Sequence, residues 1–467
     1  MDPNTGKANA QHDEDAYVDL PKPHQLGLVD EYVPDTPEER KLVRKIDLYL
    51  LPAIWGMYLL SYMDRTNIGN AKTAGMTQDL DMDSTKYSIA LTVFFVGYVV
   101  FEVPSNMILA RTKPSVFLPT IMFLWGCVTI AMAWVPNYKA LIGLRIVVGV
   151  LEAGFAPGVL LTLSSWYKPN EQAKRFGVYI SAAILSGAFG GLIAGAIEDG
   201  LDGAHGLPGW KWLFIVEGSA TAGFSLVASF LLLDFPENDK RLTDSERQLA
   251  IKRLQYARPN TQGHEEKLGH VQALKRAVVD WRTWVFVVGY MAIVGSSTLS
   301  YFYPTLVQGL GYAGSVTQYM TVPIYIAAFI CTFFNSIFMD RVPQYRGLSL
   351  AVWMTVAMVC SIVTCAVYNF HARYALLVIM ASALWASNAL SLAYASTTFG
   401  SMNHEVRGIS LAIVNAMGNL AQIYGAYLFP DSDAPKYLMG FGVISGMCFT
   451  GVVSYFILQV MLRRHPN

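Results

Sequence analysis

The chain holds 467 residues with 34 basic and 34 acidic side chains, so it carries no net charge, and 53% of it is hydrophobic against only 15% charged. Mean hydropathy is +0.36. A soluble domain is nearer a quarter charged and a nucleic-acid binder carries an excess of base, so both classes are excluded in favour of a polytopic membrane protein.

Roughly the first 40 residues are polar, rich in Asp, Glu and Pro, and hold no apolar run of the kind a cleavable signal peptide needs. They read as a disordered cytosolic tail. Twelve segments then reach the roughly 20 apolar residues that a spanning helix requires: 46–68, 87–109, 115–134, 140–166, 175–197, 210–233, 283–308, 318–339, 347–368, 374–399, 407–429 and 436–461. They predict a domain plan of tail 1–40, a six-helix unit 41–234, a charged cytosolic loop 235–282 with an amphipathic helix around Ser245–Tyr256, a second six-helix unit 283–462 and a tail 463–467. Lys and Arg set the orientation. Arg40, Lys41, Arg44, Lys45, Lys113, Lys168, Lys174, Arg175, Arg341, Arg346, Arg463 and Arg464, with most of the central loop, share one side; few fall on the other. Both termini are expected in the cytosol. The five cysteines lie in apolar runs with no metal-ligand spacing and read as packing residues. Neither a metal nor a cofactor is implied.

Two short basic loops suggest an internal repeat: Asn106 to Lys113 after the second span and Ser336 to Pro343 after the eighth. The second keeps Asp340-Arg341 and the first has Ala110 before Arg111. Gly187, Gly191 and Gly195 recur every fourth residue, as do Gly154 and Gly158, a spacing that lets helix backbones approach closely. Pro304, after the hydroxyl-rich run Ser296 to Tyr303, predicts a kink whose freed backbone groups the hydroxyls can satisfy. Tyr301 in that run is a candidate for a gate or for substrate contact.

Ionisable residues inside spans are costly and usually face a cavity or a partner. Here they are Asp64 and Arg65, Glu102, Arg145 and Glu152, and Glu217. Seven residues at 100° return to within about 20° of one face, so Arg145 and Glu152 point a base and an acid at one space, about 10 Å apart along the axis. No histidine lies in a span, so a transported proton must ride on a carboxylate, and Glu152 is the leading candidate. Glu102 and Glu217 read more simply as structural. Position alone leaves Asp64-Arg65 between the last turn of a span and its outer flank. In the second half Asn415, Asn419 and Gln422 share one helix face, and Trp385 and Asn388 share another; these amides suit an oxygen-rich solute.

Taken together, Tyr62-x-Asp64-Arg65-x-Asn67, Phe101-Glu102-Val103-Pro104-Ser105-Asn106, the Arg145 to Gly158 stretch, Gly209-Trp210-x-Trp212-Leu-Phe-x-x-Glu217-Gly218 and Asn415-x-x-Gly418 resemble the anion:cation symporter family of the major facilitator superfamily, in its fungal allantoate permease-like branch. The resemblance spans about 40–462. It also covers the basic loops, except that the first copy lacks the family's Asp where Ala110 stands. It implies an all-α membrane protein with twelve transmembrane helices in two pseudo-symmetric six-helix bundles (the MFS fold), a midplane site and alternating access. It also implies that Arg65 contacts an anionic substrate, that Asp64 and Glu152 handle protons, and that Arg145 assists. Tyr62, Tyr98, Trp385 and Asn415 match cavity residues that hold substrate.

The expected function is proton-coupled symport of a small organic anion, of the carboxylate or vitamin type, by a monomer in the plasma membrane. Substrates of the branch include nicotinate, pantothenate, biotin and allantoate. The same residues with the gradient reversed would make an exporter. A non-transporting sensor would carry a long structured cytosolic extension, and a membrane enzyme would need a nucleophile or metal cluster; neither pattern is seen in the sequence.

Overall fold

The computed structural model describes residues 33–109, 112–257 and 270–464, which are helical apart from turns and short links. The helices, in chain order, are α1 (Pro37–Ala71), α2 (Ser84–Leu109), α3 (Pro114–Ala131), α4 (Tyr138–Glu152), α5 (Phe155–Trp166), α6 (Pro169–Gly200), α7 (Gly209–Leu231), α8 (Asp244–Ala257), α9 (His270–Val279), α10 (Trp281–Ser297), α11 (Tyr303–Gly309), α12 (Ser315–Tyr319), α13 (Val322–Arg341), α14 (Arg346–Ala366), α15 (Phe370–Thr398), α16 (His404–Gly425) and α17 (Leu438–Arg464). The tail before residue 33, the 110–111 part of the first basic loop, residues 258–269 and the last three residues lie outside the described set.

Among the described residues eleven helical stretches are long and apolar enough to span a membrane. The expected twelfth is present as α16 but is too polar to qualify by composition, because Asn415, Asn419 and Gln422 occupy its inner face. Large apolar side chains such as Phe230, Phe334 and Phe456 point outward, as lipid contact requires.

The repeat inferred from two short loops is plain in the packing. α3 lies on α7 as α14 lies on α17; α2 on α4 as α13 on α15; α1 on α6 and α7 as α10 on α16 and α17. The two halves meet along α6 with α12 and α13, and along α2 with α16. At the first seam Gly187, Gly191 and Gly195 do what their spacing predicts. A methyl group on any of them would run into Tyr325, Thr321 or Tyr319 of the other half.

Two expected spans are broken, for the reasons their prolines give. Span four is two helices, since Pro157 has no N–H to bond back across the Ala153–Gly154 turn, and Glu152 ends α4 at that break. Span seven passes from α10 through a tighter turn, Thr298–Phe302, into α11 beside Pro304. The hydroxyls of Ser296, Ser297 and Thr298 bond back to the Ala292, Ile293 and Gly295 carbonyls at 2.6–2.8 Å. Of the five cysteines, Cys360 and Cys448 are buried in packing as expected, whereas Cys127 is exposed on α3.

The ends of the two halves differ. At the end bearing the chain's first helical turn, α8 is clamped to the first half. Arg253 is fully buried and donates to Glu39 Oε1 (3.1 Å) and to Glu171 Oε1 (2.6 Å), and Lys45 pairs with Glu246 at 2.8 Å. At the opposite end the halves are stitched to each other. Lys72 Nζ meets Asp431 Oδ1 at 2.9 Å, the Asp431 N–H donates to the Ser84 hydroxyl oxygen, Ser88 bonds the Ala426 carbonyl, and Gln318 bonds Asn70 and Thr73. The structure is therefore closed at the end remote from the N-terminus.

Burial alone would raise the Asp431 carboxyl, but the hydrogen bond and charge of Lys72 outweigh it and hold the group below the ordinary aspartate value. A depressed carboxylate stabilises the closed form above its unpaired pKa and loses that contribution as pH falls through the lowered value. Asp431→Asn should thus widen the distance distribution between spin labels on Gln78 and Ser432, and acidification should do the same to the wild type. Identical distributions in the variant would show that the stitch does not hold this end shut.

Candidate functional site: a guanidinium pair over one carboxylate

Asp64 and Arg65 lie well inside α1, a helix of 35 residues, and are 4% and 7% exposed. The outer-flank reading of this pair is thereby removed. Being adjacent, they point about 100° apart, and each meets a different wall.

Arg65 faces α4. Its Nε donates to Glu152 Oε1 at 2.7 Å, and Ser61, one turn earlier on α1, donates its hydroxyl to the same oxygen. Glu152 is fully buried. The Arg65 guanidinium also stands over three rings, at 5.0 Å from Tyr62, 5.4 Å from Phe94 and 4.9 Å from Tyr98. Rings of this kind give a cation part of what it loses in leaving water.

Asp64 faces the other way, toward α3 and α7. Its Oδ2 accepts from Trp125 Nε1 at 3.1 Å and from the Thr221 hydroxyl at 2.9 Å. The two acids assigned to protons thus occupy separate environments, one against a cation and one against neutral donors.

Arg145 and Glu152 are both buried on the inner face of α4, as their spacing of seven predicts. The structure differs in which arginine takes the carboxylate: Arg65 does, across helices. The Arg145 guanidinium lies 5.8 Å from the centroid of Phe94, the ring that Arg65 also approaches, and makes no hydrogen bond or ion pair among the described residues. Two cations therefore share one phenyl ring, and the carboxylate of Glu152 pairs with one of them. The Tyr87 hydroxyl is likewise buried without a hydrogen-bond partner.

From the second half, Tyr301 reaches in from the kinked segment. Its ring is 6.0 Å from Phe95, and its hydroxyl donates to Gln422 Oε1 at 3.0 Å, with Gln422 in turn 3.4 Å from Asn419 Oδ1. Arg65, Tyr62, Tyr98, Glu152 and Arg145 are thus joined through direct or one-step contacts, and Asn419 is reached through Gln422, Tyr301, Phe95 and Phe94. Trp385, Asn388 and Asn415 are half-buried on α15 and α16, and no described hydrogen bond or ring contact ties them to the guanidiniums.

The sequence reading missed Phe94, Ser61, Tyr87, Trp125 and Thr221. Helical spacing could have found two of them: Ser61 lies four residues before Arg65, and Thr221 four after Glu217. The three aromatics carry no such mark in an apolar run.

With this geometry established, comparison with known proteins gives a consistent result. A family model described as Major Facilitator Superfamily matches residues 54–426. A transporter of a fungal species (strain NRRL 50135), named MFS transporter prlL, is 34% identical over 93% of this chain and 90% of its own. The high-affinity nicotinic acid transporter of Saccharomyces cerevisiae is 30% identical over 93% and 80%. Among solved structures, a bacterial homolog of the human lysosomal transporter Spinster superimposes with a TM-score of 0.69 at 14% identity, covering 90% of this chain and 98% of that one. The xylose transporter XylE of E. coli gives 0.63 at 14%, covering 91% and 98%.

Removing one member of a buried ion pair strands the other, at a typical cost of about 3–5 kcal/mol, whereas removing both leaves no bare charge. Glu152→Ala should therefore lower the unfolding temperature of the purified protein more than Glu152→Ala combined with Arg65→Met. Additive losses in that cycle would show that the two side chains are not energetically paired.

Proposed function

Because the chain belongs to the Major Facilitator Superfamily, and is a multi-pass membrane transporter by that membership, we propose that it is a proton-coupled symporter of a small organic anion. We place it in the superfamily's anion:cation symporter family, in the fungal allantoate permease-like branch, working at the plasma membrane with both termini in the cytosol. The clamped, charge-rich end then faces the cytosol, and the stitched end faces outside.

The observation that carries this reading is the charge count around Arg65: two buried guanidiniums, Arg65 and Arg145, with Glu152 as their one paired carboxylate among the described residues. These three groups together hold one net positive charge. A substrate carboxylate is the natural partner for a guanidinium, whose fork can grip both oxygens. If the anion enters alone, Glu152 competes with it for Arg65. If a proton also enters, Glu152 becomes neutral, Arg65 passes to the substrate, and one ion pair is exchanged for another. The carrier loaded with anion and proton has the same net charge as the empty carrier.

That equality supplies the coupling. A proton carried alone neutralises Glu152 and leaves two unpaired guanidiniums, and an extra charge at the centre of a membrane costs about 2.5–3.5 kcal/mol even on insertion scales. An anion carried alone finds Arg65 still held by Glu152, so the empty and doubly loaded forms are the ones that pass most readily between open states. By linkage, the proton raises anion affinity as much as the anion raises proton affinity. The rings of Tyr62, Phe94 and Tyr98, and the Tyr301–Gln422–Asn419 chain opposite, suit a flat carboxylate with polar atoms at its far edge, which nicotinate exemplifies. Glu152 is the proton carrier, Arg65 and Arg145 hold the anion, and Asp64 is a second proton site. Trp385, Asn388 and Asn415 line the path from the second half.

In proteoliposomes with an acidic exterior, at least one of nicotinate, pantothenate, biotin and allantoate should accumulate, and a protonophore should abolish the gradient-driven part. Glu152→Gln should lose accumulation but keep exchange. Undiminished proton-driven accumulation in that variant would remove Glu152 from the mechanism, and Arg65→Lys with normal affinity would refute two-pronged recognition of the anion.

A further inference from the structure

Glu217 sits on α7, is 1% exposed, and has no hydrogen-bond partner for either carboxylate oxygen. Nothing in the mechanism above uses it. Its surroundings show what it can do. α1 and α7 run antiparallel, because Asp64 meets Thr221 while Asp79, farther along the chain, meets Trp210, farther back (2.9 and 2.7 Å). Asn67, one turn beyond Asp64, and Glu217, one turn before Thr221, therefore stand level on facing helices.

Asn67 is fully buried, and both its amide atoms are unpartnered, as is Asp64 Oδ1. Five unpartnered buried polar atoms thus fall on three residues of one seam. The neighbouring charges are few. α3 carries no ionisable side chain but Cys127, which points outward; Lys72, in the turn after α1, is turned away to Asp431; and the acids and bases of α6 lie at its two ends. Asp64 meets Thr221, one turn from Glu217 on the same face of α7, so the two carboxylates belong to one seam. Ionised together, with no cation hydrogen-bonded to either, they would be a doubly uncompensated buried charge. One proton shared between them removes that cost and supplies a donor where only acceptors stand.

We propose that Asp64 and Glu217 form a shared-proton station in the seam between α1, α3 and α7, with Glu217 the residue that receives the proton from the stitched, outer end and passes it toward Glu152. In each transfer an O–H bond breaks at one carboxyl as one forms at the next, so the pair keeps one negative charge, returns to it after each relay, and consumes nothing else. This rests on the proton coupling proposed above.

The test uses the full-length protein in two assays. In nanodiscs, infrared difference spectra should show a carboxylic-acid C=O band persisting at neutral pH, lost or shifted in Glu217→Gln and in Asp64→Asn but retained in Glu152→Gln. In proteoliposomes loaded with whichever of the four carboxylates the wild type accumulates, Glu217→Gln should slow pH-driven net uptake on the order of tenfold or more. Exchange, which moves no net proton, should be spared, and Glu217→Asp should restore part of the net rate. A band unchanged by Glu217→Gln, or net uptake slowed no more than exchange, overturns the station. Should wild-type uptake ignore the pH gradient, the symport reading fails by itself, and the infrared band still decides whether the two carboxyls share a proton.

Discussion

A guanidinium in the middle of a membrane-spanning bundle has to find an anion or pay for its absence, and much of the architecture around Arg65 follows from that requirement. The Arg65–Glu152 pair at 2.7 Å links α1 to α4 across the first half. It fixes the rotation of α1, and so turns Asp64 toward Trp125 and Thr221. It places Glu152 at the break that Pro157 makes between α4 and α5, where the chain can move without tearing a continuous helix. It also leaves Arg145 without a carboxylate partner among the described residues, the feature on which the proposed anion binding rests.

The closed outer end and the internal ion pair belong together. With Lys72 joined to Asp431 and α2 bonded to α16, the site is shut off from the stitched side, and the carboxylate nearest Arg65 is the protein's own. A substrate carboxylate would have to displace it. In the proposed symport Glu152 would stand in for the anion while the site is empty, and Ser61 as well as Arg65 holds it in place. The close glycine contacts of α6 against Tyr319, Thr321 and Tyr325 give the two halves a smooth seam beside the site.

Much of this was legible in the sequence because the membrane imposes a simple code. Long apolar runs gave the helices, and a charge inside such a run pointed to the site, since hydrocarbon tolerates few charges without a use for them. The period of 3.6 put Arg145 and Glu152 on one face, and Pro304 marked the break in span seven. What one helix's periodicity cannot state is which residue on another helix it meets. The spacing of seven turned Arg145 and Glu152 toward one space, and the structure pairs the carboxylate with Arg65. Phe94, between the two arginines, was hidden among the other aromatics of its span. Glu217 read as structural because its counterpart, Asp64, is far off in the chain and near only in the fold. α16 shows the converse: the amides that mark it as functional are what make it too polar to count as a span by composition.

In the proposed mechanism Glu152 and the substrate compete for Arg65, and a proton decides between them. The most direct test of this competition is the pH dependence of equilibrium binding of a transported carboxylate, such as nicotinate, to the purified protein. The wild type should weaken about tenfold per pH unit once Glu152 is ionised, since one proton is then taken up with each anion, while Glu152→Gln should bind tightly with no such slope. A Glu152→Gln variant that keeps the wild-type slope, or a wild type whose affinity ignores pH, would contradict it.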